Sequence, residues 1–316
     1  MDRIWNAVVI GVGTMGSHHA RVLSQLPNMF NLQGVYDTNQ DQCERVAELH
    51  SCKAFASFAQ AVDCADVVFI ATPTVTHRDM ALFALEARKH VFIEKPVADS
   101  TLSAREIELA RKRHGVRVAV GHTERFNPVT RWLLERLQSE SVLSVNIERI
   151  GPRPPRIKDV GIVTELAVHD LDLIKCFTGA RIDRVRCVGR STNGGLEDVA
   201  QIVISTNNGA VGAINTNWLT PFKSRIVTVA TKRLFLVGDL MRFKGHVYAY
   251  LDSGDTTRYS VEEAAIKWTE PLVAQAEAFY SYLGGNASSG TVSLDDGIEA
   301  LELALKCLED MRASMG

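Results

Sequence analysis

Near its start the chain reads Trp5-Asn6-Ala7-Val8-Val9-Ile10, followed by Gly11-Val12-Gly13-Thr14-Met15-Gly16. The apolar run predicts a buried strand, and the spaced glycines predict a tight turn into a helix. In such a turn the first glycine permits the bend, the second leaves space for a pyrophosphate, and the third lets the helix approach the sheet. The free N–H groups at the helix start attract phosphate oxygens. The stretch therefore predicts a dinucleotide site formed by Gly11, Gly13, Thr14, Met15 and Gly16.

An acidic residue follows at the end of the next predicted strand. Asp37 lies about 20 residues beyond Gly16, where a carboxylate accepts hydrogen bonds from an adenosine ribose. The same carboxylate would repel the 2′-phosphate of NADP, and the neighbouring Thr38 is small and uncharged. We therefore predict NAD as the cofactor, bound in part by Asp37 and Thr38. The alternatives are another nucleotide or a glycine turn that binds no phosphate.

Predicted strands and helices alternate as far as residue 122. Two nearly continuous apolar runs, at 66–71 and 90–93, are typical of parallel strands that are covered on both faces. The carboxyl ends of such strands border the ligand crevice, so the residues that follow them are expected at the cofactor. These residues are Thr72, Pro73, Thr74, Glu94, Lys95 and Pro96. His77 is counted with them, although it is equally well explained as an ordinary first-turn helix residue.

Lys95 is the candidate for chemistry among these strand-end residues. A lysine at the crevice can hold a substrate hydroxyl and stabilise negative charge that develops on its oxygen. The alternative is a surface lysine that forms an ion pair with Glu94.

Beyond residue 122 the pattern changes to long β-type segments. They are predicted at 141–149, 184–190, 199–205, 210–218, 225–230, 233–237 and 241–250, with helices at 129–137, 163–177, 271–283 and 294–312. We therefore predict an α/β Rossmann domain over residues 1–122 and an α+β domain over residues 123–316 with a large, mostly antiparallel open sheet. Several strands are apolar on both faces, which predicts a homo-oligomer, a dimer or tetramer, joined through this sheet. The alternative is that the domain's own helices cover both faces.

The composition excludes several classes of function. The chain has 316 residues, of which 46% are hydrophobic and 23% charged, as in an ordinary globular protein of two domains. Its net charge of −2 gives no reason to expect nucleic acid or an acidic membrane as a partner. No apolar run is long enough to span a membrane, and the early first strand leaves no room for a signal peptide. The six scattered cysteines predict reduced thiols in the cytoplasm and no metal site.

The predicted helix at 163–177 carries a second group of candidate residues. Glu165 and His169 are four residues apart and share a helix face. A histidine can accept a proton at neutral pH, and a carboxylate one turn away can orient it. The alternative is a surface ion pair, and a single histidine does not make a zinc motif.

A basic loop precedes this helix. It reads Gly151-Pro152-Arg153-Pro154-Pro155-Arg156 and, together with Arg149, concentrates positive charge on a segment that prolines stiffen. Arginine forks suit phosphate oxygens, so Arg153 and Arg156 are candidates to bind a phosphorylated or nucleotide-bearing substrate. A solvated basic loop is the alternative. Arg125, which follows the last predicted strand of the first domain, is added to the candidate substrate-binding residues.

Together these motifs resemble the Gfo/Idh/MocA oxidoreductases. The resemblance is carried by Gly11-x-Gly13-x-x-Gly16, Ala71-Thr72-Pro73, Glu94-Lys95-Pro96 and Glu165-x-x-x-His169-x-x-Asp172, and it runs through the whole chain. It implies an NAD-dependent dehydrogenase of a pyranose or cyclitol, with Lys95 and His169 at the reacting hydroxyl and Glu165 orienting the histidine. Family members usually have aspartate where this chain has Glu165, and often glycine where it has Ala167.

Within the family, residues 151–161 leading into 166–172 are similar to members that oxidise UDP-N-acetylglucosamine at C3 to a ketone. The resemblance therefore implies UDP-N-acetylglucosamine as the substrate. Two other hypotheses are kept: a myo-inositol or other free-sugar dehydrogenase, and a non-catalytic regulator that binds NAD without turnover.

Overall fold

A computed structural model of the chain describes residues 3–155, 157, 160–192, 194–252 and 255–314. Within these residues the chain forms two compact units. The first unit comprises the described parts of 1–123 together with 271–301, and the second comprises those of 124–270 together with 302–316. Each unit is built on one β-sheet.

The strands, in chain order, are β1 (Trp5–Ile10), β2 (Phe30–Tyr36), β3 (Lys53–Ala54), β4 (Val67–Ile70), β5 (His90–Glu94), β6 (Val118–Gly121), β7 (Val142–Pro152), β8 (Ile182–Arg190), β9 (Val199–Thr206), β10 (Val211–Asn217), β11 (Leu219–Thr231), β12 (Leu234–Asp239), β13 (Lys244–Asp252) and β14 (Asp255–Glu263). The α-helices are α1 (Thr14–Gln25), α2 (Gln40–Leu49), α3 (Phe58–Asp63), α4 (His77–Glu86), α5 (Thr101–His114), α6 (Pro128–Leu137), α7 (Val168–Thr178), α8 (Pro271–Leu283) and α9 (Leu294–Ser314).

The sheet of the first unit has the strand order β3-β2-β1-β4-β5-β6, and its described pairings are all parallel. The direction in which strands are added reverses between β1 and β4. In open α/β sheets a ligand crevice forms at this switch point, outside the carboxyl ends of the strands. The prediction of a Rossmann domain is confirmed, and the glycine turn and the segment after β4 both lie at the switch point.

Helix α8 packs on this first sheet. Its Phe279 is fully buried, with its ring centroid 5.6 Å from that of Phe69 and 5.4 Å from that of Phe92. Further along, the Val120 N–H donates to the Val292 carbonyl at 3.0 Å. The first boundary lies after Thr123, next to the predicted residue 122, but 271–301 belongs to the first unit and not to one continuous second domain over 123–316. Helical periodicity identifies the apolar face of α8 but not the sheet that covers it.

The sheet of the second unit has the order β14-β13-β12-β11-β7-β10-β9-β8. Its described neighbours are antiparallel except β7 and β10, which are parallel. The predicted large, mostly antiparallel sheet is confirmed. Strand β14 was not predicted; its residues 256–263 are all exposed, and Tyr259 and Val261 are its only large apolar side chains.

Helices cover one face of this second sheet. Ile174 of α7 packs against Gly212, where an added Cβ would lie 3.0 Å from its Cδ1 atom. On the opposite face Val188, Val203 and Val211 are 67%, 61% and 51% exposed. Among the described residues, no helix is both long and apolar enough to cross a membrane.

Candidate cofactor and substrate sites

The glycine turn has the geometry that a phosphate site requires. Gly11 has a φ of 81°, and an added Cβ would lie 2.8 Å from the Ala71 carbonyl oxygen. A Cβ on Gly16 would lie 1.7 Å from the Gly11 oxygen, so only glycine allows α1 to approach so closely. A Cβ on Gly13 would meet nothing within 4 Å, which leaves open space beside the backbone. Thr14 and Met15, the other predicted contacts, are the first two residues of α1.

Asp37 is fixed beside this turn by backbone N–H groups. Its Oδ2 atom accepts from Val12 at 2.7 Å and its Oδ1 atom accepts from Asn39 at 2.9 Å. The carboxylate is half-buried, and each oxygen has a further lone pair that a ribose hydroxyl can use. Thr38 beside it is exposed. The residues present therefore fit an adenosine ribose and a pyrophosphate.

His77 joins the segments that follow β4 and β5. Its Nε2 atom lies 2.9 Å from the Thr72 carbonyl oxygen, and its Nδ1 atom lies 2.9 Å from that of Pro96. Burial lowers the pKa of His77, while the hydrogen bonds to these carbonyls act in the opposite direction. The ring thus has a structural role at the candidate site, and its own contact with the cofactor stays a prediction, as do those of Thr72, Pro73, Thr74 and Pro96.

Glu94 lies behind the candidate lysine. Its side chain is buried, and its Oε1 atom is 2.7 Å from Nε2 of His19. Its Oε2 atom accepts the Lys95 backbone N–H at 3.3 Å, while Lys95 itself is half-exposed at the strand end. Burial alone would raise the pKa of Glu94, but the hydrogen bond and charge of His19, with the charge of Lys95, lower it.

Sequence reasoning missed His19, although a histidine on the apolar face of α1 was a visible signal. The buried carboxylate of Glu94 also does not match the alternative of a surface ion pair with Lys95.

In the second unit a π-helical turn, Val163–Ala167, precedes α7 and replaces the start of the predicted continuous α-helix. Glu197 supports this turn: its carbonyl accepts the Ile162 N–H at 3.0 Å, and its Oε1 accepts the Val163 N–H at 3.2 Å. Glu165 lies in the turn and His169 is the second residue of α7, both of them half-buried. Single π turns are frequent at functional sites. The predicted orientation of His169 by Glu165 stays a prediction.

A cluster of charged side chains surrounds the first turn of α7. Arg149 is 2% exposed and binds Asp170, with Nε to Oδ1 at 2.8 Å, and Glu124, with Nη1 to Oε1 at 2.9 Å. Arg125 binds Asp172, with Nε to Oδ2 at 2.7 Å. The expectation that Arg149 adds positive charge to an exposed loop is wrong, because its charge is buried and balanced by carboxylates. The role of Arg125 in substrate binding stays a prediction.

Of the two candidate arginines in the basic loop, Arg153 lies within the described residues. The Arg153 guanidinium lies over the ring of Trp218, 5.0 Å from the centroid, and Trp218 is buried beneath it. This cation–π contact holds a half-exposed guanidinium on a rigid support. Arg156 lies outside the described residues.

In the part of the chain that the structure describes, no three His, Cys, Asp or Glu side chains are grouped so as to hold a metal ion. None of the six cysteines takes part in a disulfide within the described residues.

Comparison with known proteins identifies relatives along most of the chain. The profile of an oxidoreductase family with an NAD-binding Rossmann fold matches residues 5–122, and that of the GFO/IDH/MocA C-terminal domain matches residues 141–244. UDP-N-acetylglucosamine 3-dehydrogenase of Acidithiobacillus ferrooxidans is 32% identical over 76% of this chain and 75% of its own. A myo-inositol 2-dehydrogenase of Thermotoga maritima is 26% identical over 96% of each chain. A solved structure of the Acidithiobacillus enzyme has a TM-score of 0.91 at 26% identity, covering 98% of this chain and 99% of that one.

Proposed function

Since the chain belongs to the Gfo/Idh/MocA family, and is thus an NAD-dependent oxidoreductase acting on a sugar hydroxyl, we propose that it oxidises UDP-N-acetylglucosamine at C3 to the ketone. The observation that carries this substrate is the similarity to an enzyme named for that reaction. The rigidly supported Arg153 adds a physical reason, because a guanidinium forms strong paired hydrogen bonds with a diphosphate. Arg156 and Arg125 are proposed to assist in binding the same substrate.

In the proposed mechanism His169 takes the proton of the sugar hydroxyl as general base. Lys95 binds the same oxygen and stabilises the negative charge that develops there. Glu165 orients the imidazole of His169. When bound, NAD supplies the acceptor for the hydride that leaves the alcohol carbon. The open space beside Gly13 and the fixed carboxylate of Asp37 support the assignment of the turn as the site that would hold it.

We further propose that the protein is a homodimer or homotetramer joined through the second sheet. Exposed valines on neighbouring strands β8, β9 and β10 form an apolar surface that a second copy can bury. The absence of disulfides among the described cysteines is compatible with the cytoplasmic location that we propose.

A second candidate function is favoured by one observation. The inositol dehydrogenase of Thermotoga matches 96% of this chain, more than the UDP-sugar enzyme does at the sequence level. A cyclitol has no diphosphate, so it would leave the arginines of the basic loop without a ligand.

Purified protein with NAD and a panel of UDP sugars, free sugars and inositols distinguishes these functions. We expect reduced nicotinamide only with UDP-N-acetylglucosamine or a close relative, and a 3-keto product by mass spectrometry. Turnover of myo-inositol without turnover of any UDP sugar would replace the first proposal by the second.

A further inference from the structure

We propose that Arg149 is a positioning residue for His169, which it holds through the adjacent Asp170. The inference rests on the proposed function, in which His169 is the general base. A buried ion pair, whose Asp170 is the neighbour of His169 in the chain, would thereby have a catalytic consequence.

The contacts of Arg149 run in two directions. Its Nε atom lies 2.8 Å from Oδ1 and 3.0 Å from Oδ2 of Asp170, which is fully buried in the first turn of α7. Its Nη1 atom lies 2.9 Å from Oε1 of Glu124. A planar guanidinium binds the two carboxylates through N–H groups whose directions are fixed, whereas the ammonium of a lysine has no fixed direction.

Arg149 and Glu124 are themselves held in place by other residues of the second unit. Arg149 lies on β7, between β10 and β11 in the interior of the large sheet. Its carbonyl oxygen accepts a hydrogen bond from Thr216 Oγ1 at 2.9 Å. Glu124 is held in turn by Arg225, with Nη1 to Oε1 at 2.7 Å. The Asp170 carboxylate is therefore bound to a residue of an interior strand, and the neighbouring strands restrict the movement of that strand.

Because His169 and Asp170 are consecutive residues, the direction of the aspartate fixes the rotation of the first helical turn. That rotation sets the direction in which the His169 side chain leaves the backbone. Asp172 is tied separately to Arg125, so a change at Arg149 leaves α7 attached to the second unit by another ion pair. Loss of the Arg149 guanidinium is thus expected to change the direction of the His169 side chain, while helix α7 itself still forms.

Stability alone is a weak explanation for this cluster. Burying a guanidinium with its carboxylates costs desolvation that roughly offsets their attraction, and apolar replacements are often as stable. Orientation of one helix turn is a role that an apolar contact would not perform, because apolar contacts have no preferred direction.

The test is Arg149→Lys, assayed with the fastest substrate of the panel. We expect kcat to fall roughly 10- to 100-fold, the loss typical of a small displacement of a catalytic group. The KM for the sugar and the Kd for NAD should stay near the wild-type values, whereas the unfolding midpoint should fall because a buried carboxylate loses a fixed donor. The matched control is Arg233→Lys, which changes an exposed arginine of the second unit that binds Glu140 and should leave kcat within about twofold. If Arg149→Lys does not fold, Asp170→Asn tests the same contact from the helix side and should show the same separation of kcat from KM.

Wild-type kcat in either variant would overturn the inference. A loss of sugar binding and NAD affinity in parallel with kcat would also overturn it, because that result indicates a purely structural role. Full turnover by His169→Ala would instead refute the proposed function. A dead His169→Ala with an unaffected Arg149→Lys would refute the inference alone.

Discussion

The Nε2 atom of His19 lies 2.7 Å from the Oε1 atom of Glu94, and both side chains are buried in the first unit. His19 belongs to α1, the helix that begins at the glycine turn, and Glu94 immediately precedes Lys95. The contact therefore connects the candidate phosphate site with the proposed catalytic lysine. A Cβ on Gly121 would lie 2.8 Å from the Glu94 carboxyl carbon, so the carboxylate has little room to move.

This pair predicts an acid-dependent loss of stability. Burial would raise the pKa of Glu94, but the interactions with His19 lower it below the ordinary value of 4.5. A carboxyl group whose folded-state pKa is lowered stabilises the protein fully above its unfolded pKa, and the contribution disappears as pH falls through the folded-state pKa. We expect Glu94→Gln to be less stable than wild type at neutral pH, with a difference that shrinks below about pH 4.5.

Urea unfolding at several pH values measures this difference. Glu86→Gln is the control, because Glu86 is exposed on α4. A difference between wild type and Glu94→Gln that stays constant with pH would contradict the assignment.

Substitutions of two glycines in the glycine turn should have different effects, one on stability and the other on cofactor binding. Gly16→Ala places a methyl group against the Gly11 oxygen and should cost about 1–3 kcal/mol of unfolding free energy. Gly13→Ala meets open space and should change stability by less than about 0.5 kcal/mol. It should nevertheless weaken NAD roughly tenfold or more, because the methyl group occupies the space proposed for the pyrophosphate. Calorimetric binding of NAD with thermal unfolding checks both; unchanged NAD affinity in Gly13→Ala would be evidence against a phosphate at this turn.

Asp37→Ala should change the choice between the two nicotinamide cofactors. Loss of a charged hydrogen bond costs about 1.5–3 kcal/mol, so the kcat/KM for NAD should fall roughly 10- to 100-fold. The preference for NAD over NADP should narrow, because the repulsion of the 2′-phosphate is removed. Asp41→Ala, an exposed acid in the first turn of α2, is the control. If Asp37→Ala kept the wild-type preference, Asp37 would not be the residue that selects NAD.

The exposed face of the large sheet should determine the oligomeric state. Val203→Glu places a charge at the centre of the proposed interface, so we expect a dimer or tetramer to dissociate into folded monomers that still bind NAD. Leu109→Glu makes the same change at a leucine of α5 that is equally exposed in the first unit, and it should not alter the assembly. Sedimentation velocity reports both outcomes. A wild-type protein that is monomeric at micromolar concentration would rule the interface out.

Single substitutions of the proposed catalytic groups should stop turnover and spare cofactor binding. A general base contributes roughly 10²–10⁴-fold, so His169→Ala should lose that factor in kcat. Lys95→Ala should lose a comparable factor because the developing charge on the sugar oxygen is no longer stabilised. His114→Ala, at the end of α5, is the control. Loss of NAD affinity together with kcat would indicate a binding role for the substituted residue.

Local patterns predicted most of the first unit. Buried parallel strands such as β4 are short apolar runs, and the spaced glycines indicate the backbone conformation of the turn. Both features can therefore be recognised without knowing which distant residues they contact. The place of α8 in the first unit was missed because Phe279 contacts Phe69 and Phe92, from which the residues of the second unit separate it in the chain. Strand β14 was missed because its alternating apolar pattern is limited to Tyr259 and Val261, which is too short to separate a strand from a loop.

In the candidate sites, too, local features could be predicted and contacts between distant residues could not. Asp37 and the glycines are recognisable because their spacing along the chain is fixed by one β-α-β unit. The contacts of His19 with Glu94 and of Arg149 with Asp170 join residues that are 75 and 21 positions apart. Sequence reveals each charge but not its partner, and for this reason Arg149 was expected on an exposed loop and is instead buried.

The most direct test uses UDP-N-acetylglucosamine that carries deuterium at C3. We expect wild-type protein to transfer the label to the nicotinamide ring and to yield a 3-keto sugar, while His169→Ala does neither and still binds NAD. Reduced nicotinamide without the label, or no reduction with this sugar while an inositol is oxidised, would contradict oxidation of UDP-N-acetylglucosamine at C3 by this protein.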